Sequence, residues 1–172
     1  QGLMVRLWQA LRLAFFAVLG GGLALSAALA FGWADPPRYG RLYAETRDAA
    51  AAVLLPQGNF TLMVLGQWSE AASPLDSWHV QFEAADGTGL FMLSVHGDAS
   101  FSLAPLQPDA LGFVHLRRPP AANEVYLHLS ADGAELRLNR EIAWRGALPS
   151  AAVVRISGSE ALRAADLRLF VP

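Results

Sequence analysis

The chain has 172 residues, no cysteine and a formal net charge of −2, and 53% of its residues are hydrophobic against 16% charged. This length accommodates one ordinary domain and an additional segment. The lack of cysteine excludes disulfides, thiolate catalysis and cysteine-ligated metals, and the near-neutral charge gives no reason to expect nucleic acid as a partner.

The first predicted element is a long apolar helix near the start of the chain. No charged residue occurs from Leu13 to Ala34, a run of 22 residues that Asp35-Pro36-Pro37 ends. A helix of this length spans about 30 Å of hydrocarbon core, so we predict a single transmembrane helix surrounded by membrane lipid. The alternative is a cleavable signal peptide with Ala28-Leu29-Ala30 as its cleavage motif, but the apolar core of such peptides is usually shorter. We therefore expect the helix to be retained.

One side of this helix carries only small side chains within an arc of about 120°. Small side chains let a second helix approach closely, which is how helices associate in lipid. We predict that this face packs against other transmembrane subunits, and the alternative is that an alanine-rich helix has such a face by chance. The residues of the face are Ala14, Ala17, Gly20, Gly21, Ala24, Ala28 and Gly32.

Basic residues lie on both sides of the predicted helix, so a positive-inside count is nearly balanced. Arg6 and Arg12 precede the apolar run, and Arg38, Arg41 and Arg47 follow it. The order of basic residues, apolar helix and folded domain favours a cytoplasmic N-terminal side. The domain is then expected on the periplasmic or extracellular side.

The chain is predicted to divide into three parts: residues 1–34 with the helix, a neck at 35–51 and a folded domain at 52–172. Within and after the neck, residues 41–55 are expected to form a short helix followed by an edge strand. From Phe60 onward, hydrophobic and polar residues alternate, as in "FTLMVLGQW", "SWHVQFEA" and "EVYLHLS". This pattern is typical of strands with one buried face. The predicted class is mainly β, an antiparallel sandwich or jelly roll behind one helix.

Turn spacing in the predicted domain resembles that of the concanavalin A-like and laminin-G-like jelly rolls, especially divergent forms in bacterial envelope proteins. The resemblance covers about residues 52–172. It is carried by an aromatic residue before a charged-Gly turn (82–87), a Gly-Asp turn (97–98), an Asn-led turn (136–140) and the last strand, "ADLRLFV". It implies the fold, and for this family it implies calcium or sugar sites on rim loops. Asp76, Asp98 and Asp109 are the candidate calcium ligands, although no oxygen-rich cluster is visible locally.

No pattern of residues points to catalysis. Concanavalin-like glycoside hydrolases carry paired carboxylates on one strand face, and the nearest pair, Glu83 and Asp86, includes a turn residue. No serine lies in a G-x-S-x-G motif, and the four histidines lack metal-ligand spacing. We therefore predict no catalytic residue, no metal and no cofactor. The histidines are His79, His96, His115 and His128.

Four residues are candidates for contact with a ligand or partner. Trp68 and Trp144 have the ring size needed to stack on a sugar, and Arg117-Arg118 is the only adjacent basic pair. The pair lies in "LGFVHLRRPP", interpreted as an exposed strand end, and a phosphate or lipid headgroup is its candidate ligand.

Together these features predict a non-catalytic, single-pass accessory subunit. Its helix would pack in a larger bacterial membrane complex and its jelly roll would brace that complex, with a respiratory or photosynthetic electron-transport assembly as first candidate. The alternative is a membrane-anchored, cell-surface module that binds glycans or other polymers. Exposure of Trp68 and Trp144 would favour the alternative, and their burial would count against it.

Overall fold

The protein forms two compact units, Gln1–Pro36 and Pro37–Pro172. The computed structural model describes residues 2–30, 40–48, 52–106, 111–158 and 160–172. Within the helix, side chains are described from Arg12 to Ser26.

The first unit contains helix α1, Gly2–Ala30. A helix at this place agrees with the sequence, but the predicted membrane span is not found. Within the described residues, no helix has both the length and the apolar character needed to cross a bilayer. Residues 31–34 of the predicted span lie outside the described residues.

The second unit is a sandwich of two antiparallel sheets, as the alternating pattern predicted. One sheet has six strands in the order β1-β11-β3-β7-β8-β9, and the other has five in the order β2-β10-β4-β5-β6. The strands are β1 (Arg41–Thr46), β2 (Ala52–Leu54), β3 (Phe60–Trp68), β4 (Ser77–Glu83), β5 (Gly89–His96), β6 (Phe101–Ala104), β7 (Ala122–Ser130), β8 (Gly133–Leu138), β9 (Glu141–Gly146), β10 (Val153–Gly158) and β11 (Leu162–Val171). β1 falls in the stretch expected to contain a short helix, and it pairs instead with β11.

The core lies between the sheets, where every second side chain of the central strands is buried. Leu62 and Val64 of β3 and Val80 of β4 are fully buried, because strand side chains alternate between the two faces. Trp78 is also fully buried, and its ring packs against Gly66. A Cβ atom at Gly66 would lie 2.6 Å from the Trp78 ring. The glycine is therefore needed to make room for the indole.

One end of the sandwich is covered by residues 111–118, which we call the strap. It was interpreted from the sequence as a strand end, but it forms no strand. Its Val114 is buried in the core, and its Gly112 amide donates a hydrogen bond to the Ala143 carbonyl. The buried Asn123 side chain accepts a hydrogen bond from the Arg117 amide and donates one to the Arg117 carbonyl, each at 2.8 Å. These bonds fix the strap across the end of the sandwich.

Candidate functional site

Helix α1 exposes its apolar side chains. The described part of the small face, Ala14 to Ala24, is exposed, whereas the Ala28 side chain and Gly32 lie outside the described residues. Large apolar side chains on the rest of the helix are exposed by 49–76%: Leu13, Phe15, Phe16, Val18, Leu19, Leu23 and Leu25. A contiguous apolar surface of this kind marks a site of interaction with another protein or with lipid.

The three consecutive glycines of the helix are not explained by packing within the described chain. A Cβ atom added at Gly20, Gly21 or Gly22 would meet no atom within 4 Å. Glycine in a helix interior costs about 1 kcal/mol relative to alanine, so the three together weaken the helix. Small residues on a helix face are typical of helices that another helix approaches closely.

Trp68 and Trp144, the candidate sugar-stacking residues, lie in the core. Trp68 is 1% exposed and Trp144 is 8% exposed. The Trp144 ring packs against Phe91, with 5.8 Å between ring centroids. Stacking on a sugar requires an exposed ring face, so the burial of both tryptophans counts against this role.

Arg117 and Arg118 are exposed at the end of the strap. Hydrogen bonds from the Ser100 hydroxyl and amide lower the pKa of the Asp98 carboxyl below its ordinary value, and the charges of His96 and Arg118 lower it further. Arg118 therefore interacts electrostatically with the Asp98 carboxylate. The phosphate or lipid-headgroup contact of Arg117 and Arg118 stays a prediction.

A cluster of serine and histidine side chains lies on the outer face of the five-stranded sheet. The Nδ1 atom of His79 is 2.8 Å from the Ser94 hydroxyl, and its Nε2 atom is 3.3 Å from the Ser77 hydroxyl. Nearby, His96 Nε2 is 3.2 Å from the Ser102 hydroxyl. Nucleophilic serine catalysis needs a base oriented by a third group, usually a carboxylate. Among the described residues no carboxylate hydrogen-bonds to His79, so this cluster does not form a triad.

The serines of this cluster were missed in the sequence. Alternation alone places Ser94 and His96 on one face of β5. However, the contact between His79 and Ser94 depends on the pairing of β4 with β5, in which these two residues are opposite each other. The sequence pattern predicts the face of each residue and not this register.

The cluster predicts a pH dependence of stability. Burial lowers the pKa of His79 below its ordinary value of 6.5, and the charge of His96 lowers it further. The unfolded chain then binds a proton more readily than the native state. The stability that neutral His79 contributes is therefore present above pH 6.5 and is lost as pH falls through the native pKa. We expect His79→Gln to reduce the loss of unfolding free energy between about pH 7.5 and pH 5.5. Urea unfolding of both proteins at these pH values measures the difference, and parallel losses would contradict it.

The carboxylates considered for catalysis or calcium have separate local partners. Glu83 pairs with Arg155 at 3.3 Å, and Asp86 accepts a hydrogen bond from the Thr88 amide in its turn. Asp76 accepts a bond from the Ser73 amide, whereas Asp109 lies outside the described residues. Among the residues that the structure describes, no group of three or more histidine, aspartate or glutamate side chains is arranged to hold a metal ion.

Comparisons with known proteins give only distant similarities. No protein-family model and no curated protein matches the chain. Similar solved structures include sheep galectin-11 in complex with glycerol, with 13% identity, a TM-score of 0.49 and coverage of 76% of this chain and 99% of the galectin. A tetrameric galectin from the ball sponge Cinachyrella sp. has 11% identity, a TM-score of 0.47 and coverage of 70% and 99%.

A third similar structure is the alginate lyase AlgAT5 from polysaccharide lyase family 7. It has 10% identity and a TM-score of 0.46, and the alignment covers 74% of this chain and 66% of the lyase. Likeness at this level carries no inference about ligand or activity. The sandwich is therefore defined by its own strand pairing.

Proposed function

We propose that the chain is a non-catalytic accessory subunit that attaches to a larger bacterial membrane complex through its N-terminal helix. The sandwich is then a bracing domain outside the cytoplasm. The observation that carries this proposal is the exposure of every described side chain of the helix, from Arg12 to Ser26. Seven of these side chains are large and apolar and are at least 49% exposed.

The apolar character of both sides of the helix supports partners on both sides. An amphipathic helix that packs on a single domain carries charged residues on its outer side. Here no charge occurs between Leu13 and Ala30. We propose that the small face contacts helices of other subunits, and that the bulky side chains contact lipid or further helices.

The burial of Trp68 and Trp144 counts against the alternative of a glycan-binding module. No described residue favours one kind of membrane complex, such as an electron-transport assembly, over another.

A pair of matched substitutions tests the attachment. Gly20 and Gly22 lie about 160° apart on the helix, and in both cases the added side chain meets open space within the chain. We expect Gly20→Leu to reduce co-purification of partner subunits about tenfold or more in a mild detergent, because it fills the small face that a partner helix approaches. Quantitative mass spectrometry of the co-purified proteins measures this.

The matched control is Gly22→Leu, which places the same side chain on the bulky face. It is expected to retain the partners, and both substitutions favour the helix itself because leucine has the higher helix propensity. If both variants keep their partners, the sandwich and not the helix makes the attachment. Purification of the unaltered chain without any partner would remove the proposal altogether.

A further inference from the structure

The end of the sandwich opposite the strap contains an open cavity of about 730 Å³. Its floor is formed by the buried aromatic side chains Phe60, Phe82 and Phe91. Phe82 and Phe91 meet edge to face, with 5.7 Å between ring centroids. Leu129 and Leu148 contribute to the walls. This volume lies within the range of about 300–1,000 Å³ that small-molecule sites occupy.

The two ends of the sandwich differ in how the core is covered. At the closed end, the strap inserts Val114 into the core and is fixed by the Asn123 side chain. At the open end, the chain between residues 148 and 152 forms one wall of the cavity and leaves it accessible. A core that is covered at one end and accessible at the other offers apolar surface to a ligand at the accessible end.

Among the residues that the structure describes, the lining of the cavity contains no charged group. All sixteen lining residues are uncharged, and the side-chain polar groups among them belong to Tyr43, Gln57 and Ser150. These groups donate and accept hydrogen bonds and cannot neutralise a charge. A charged headgroup held in the cavity would lack a counter-charge and would lose part of its hydration.

From this combination we propose that the cavity binds a neutral, single-chain amphiphile, such as a fatty alcohol or a monoacylglycerol. The hydrocarbon chain lies against the partly exposed Leu129 and Leu148, above the three buried phenylalanines, and the hydroxyl head bonds with the uncharged polar groups at the lining. A fatty acid of equal length binds less well, because its carboxylate finds no cation there. This inference does not depend on what the helix contacts.

The probes for the experiment are decan-1-ol and decanoic acid, each with a photoactivatable diazirine at the chain end. The full-length chain, held in amphipol, is labelled with each probe over a range of concentrations, and the labelled peptides are identified by mass spectrometry. We expect labelling of residues 54–58 and 148–152, with half-saturation at an alcohol concentration about tenfold lower than that of the acid. Equal labelling by both probes, or labelling confined to the helix, would overturn the proposal.

Two substitutions locate the binding within the cavity. Leu54 lines the cavity and is 71% exposed, so Leu54→Arg adds a cation at the mouth without disturbing the core. It should lower the concentration of the acid at half-saturation about threefold, as expected for a partly exposed ion pair. The matched control is Leu75→Arg at a residue that is 96% exposed and is not in the lining, and it should change nothing.

Ala151→Leu fills the cavity and should reduce labelling by the alcohol about tenfold, with the circular dichroism spectrum unchanged. If this variant fails to fold, the charge preference of Leu54→Arg still decides the outcome. Cavity peptides that remain unlabelled in the unaltered chain would also overturn the proposal.

Discussion

Replacing Trp78 by alanine is expected to lower the free energy of unfolding by about 3–5 kcal/mol. Trp78 is fully buried between the sheets, and removal of its ring leaves a large cavity that rigid strands on both sides cannot fill. Small domains are stable by only about 5–15 kcal/mol, so the loss is a large share of the total. Urea unfolding followed by circular dichroism measures it.

The same substitution is expected to change the effect of a second one at Gly66. Alone, Gly66→Ala should cost about 1–3 kcal/mol, because its Cβ would overlap the Trp78 ring. In the Trp78→Ala background the ring is absent, and Gly66→Ala should then be nearly neutral. The double-mutant cycle isolates this coupling. Simple addition of the two single costs would show that the close contact between Gly66 and Trp78 is not what excludes a side chain at this position.

Asn123→Leu is expected to destabilise the sandwich by about 2–4 kcal/mol. Asn123 is fully buried, and its side chain pairs with both the amide and the carbonyl of Arg117. It also accepts a hydrogen bond from Asn139 at 2.8 Å. Leucine leaves these groups without their partner, so the strap should detach locally before the sheets unfold. Hydrogen exchange at the Arg117 amide, measured together with urea unfolding, detects this.

A matched control is available at the surface near the same segment. Gln67 also uses a side-chain amide to hold a backbone carbonyl, that of Pro120 at 2.6 Å, but this bond is exposed. Gln67→Met should change the free energy of unfolding by no more than about 0.5 kcal/mol. Similar costs at Asn123 and Gln67, or unchanged exchange at Arg117, would contradict the role given to Asn123.

The central strands were predictable because one face of each is buried. In β3 and β7 the burial of alternate residues leaves a period-two pattern that is visible without any partner strand. β1 lacks this signal, because all of its side chains are at least partly exposed. It is a strand only through its pairing with β11, more than a hundred residues away in the chain. The strap, interpreted from the sequence as an exposed strand end, forms no strand, although it buries one apolar side chain, Val114.

Candidate sites that lie within one element could be predicted from the sequence, whereas those that depend on contacts between distant residues could not. The small face of the helix follows from residue spacing within a single element, so Gly20 and Ala24 could be identified from the sequence. The environment of Trp144 depends on Phe91 in the opposite sheet, and that of His79 depends on Ser94 in the next strand. The cavity requires the separation of the two sheets at one end, which no residue pattern encodes.

The pairing of β1 with β11 has a mechanical consequence. Arg41, at the start of the sandwich, lies opposite Val171, so the chain enters and leaves the domain at one corner. β1 is an edge strand and pairs with β11 alone. Separation of Arg41 from Val171 would therefore first break the bonds of a strand held by one neighbour, so β1 is the strand expected to detach first.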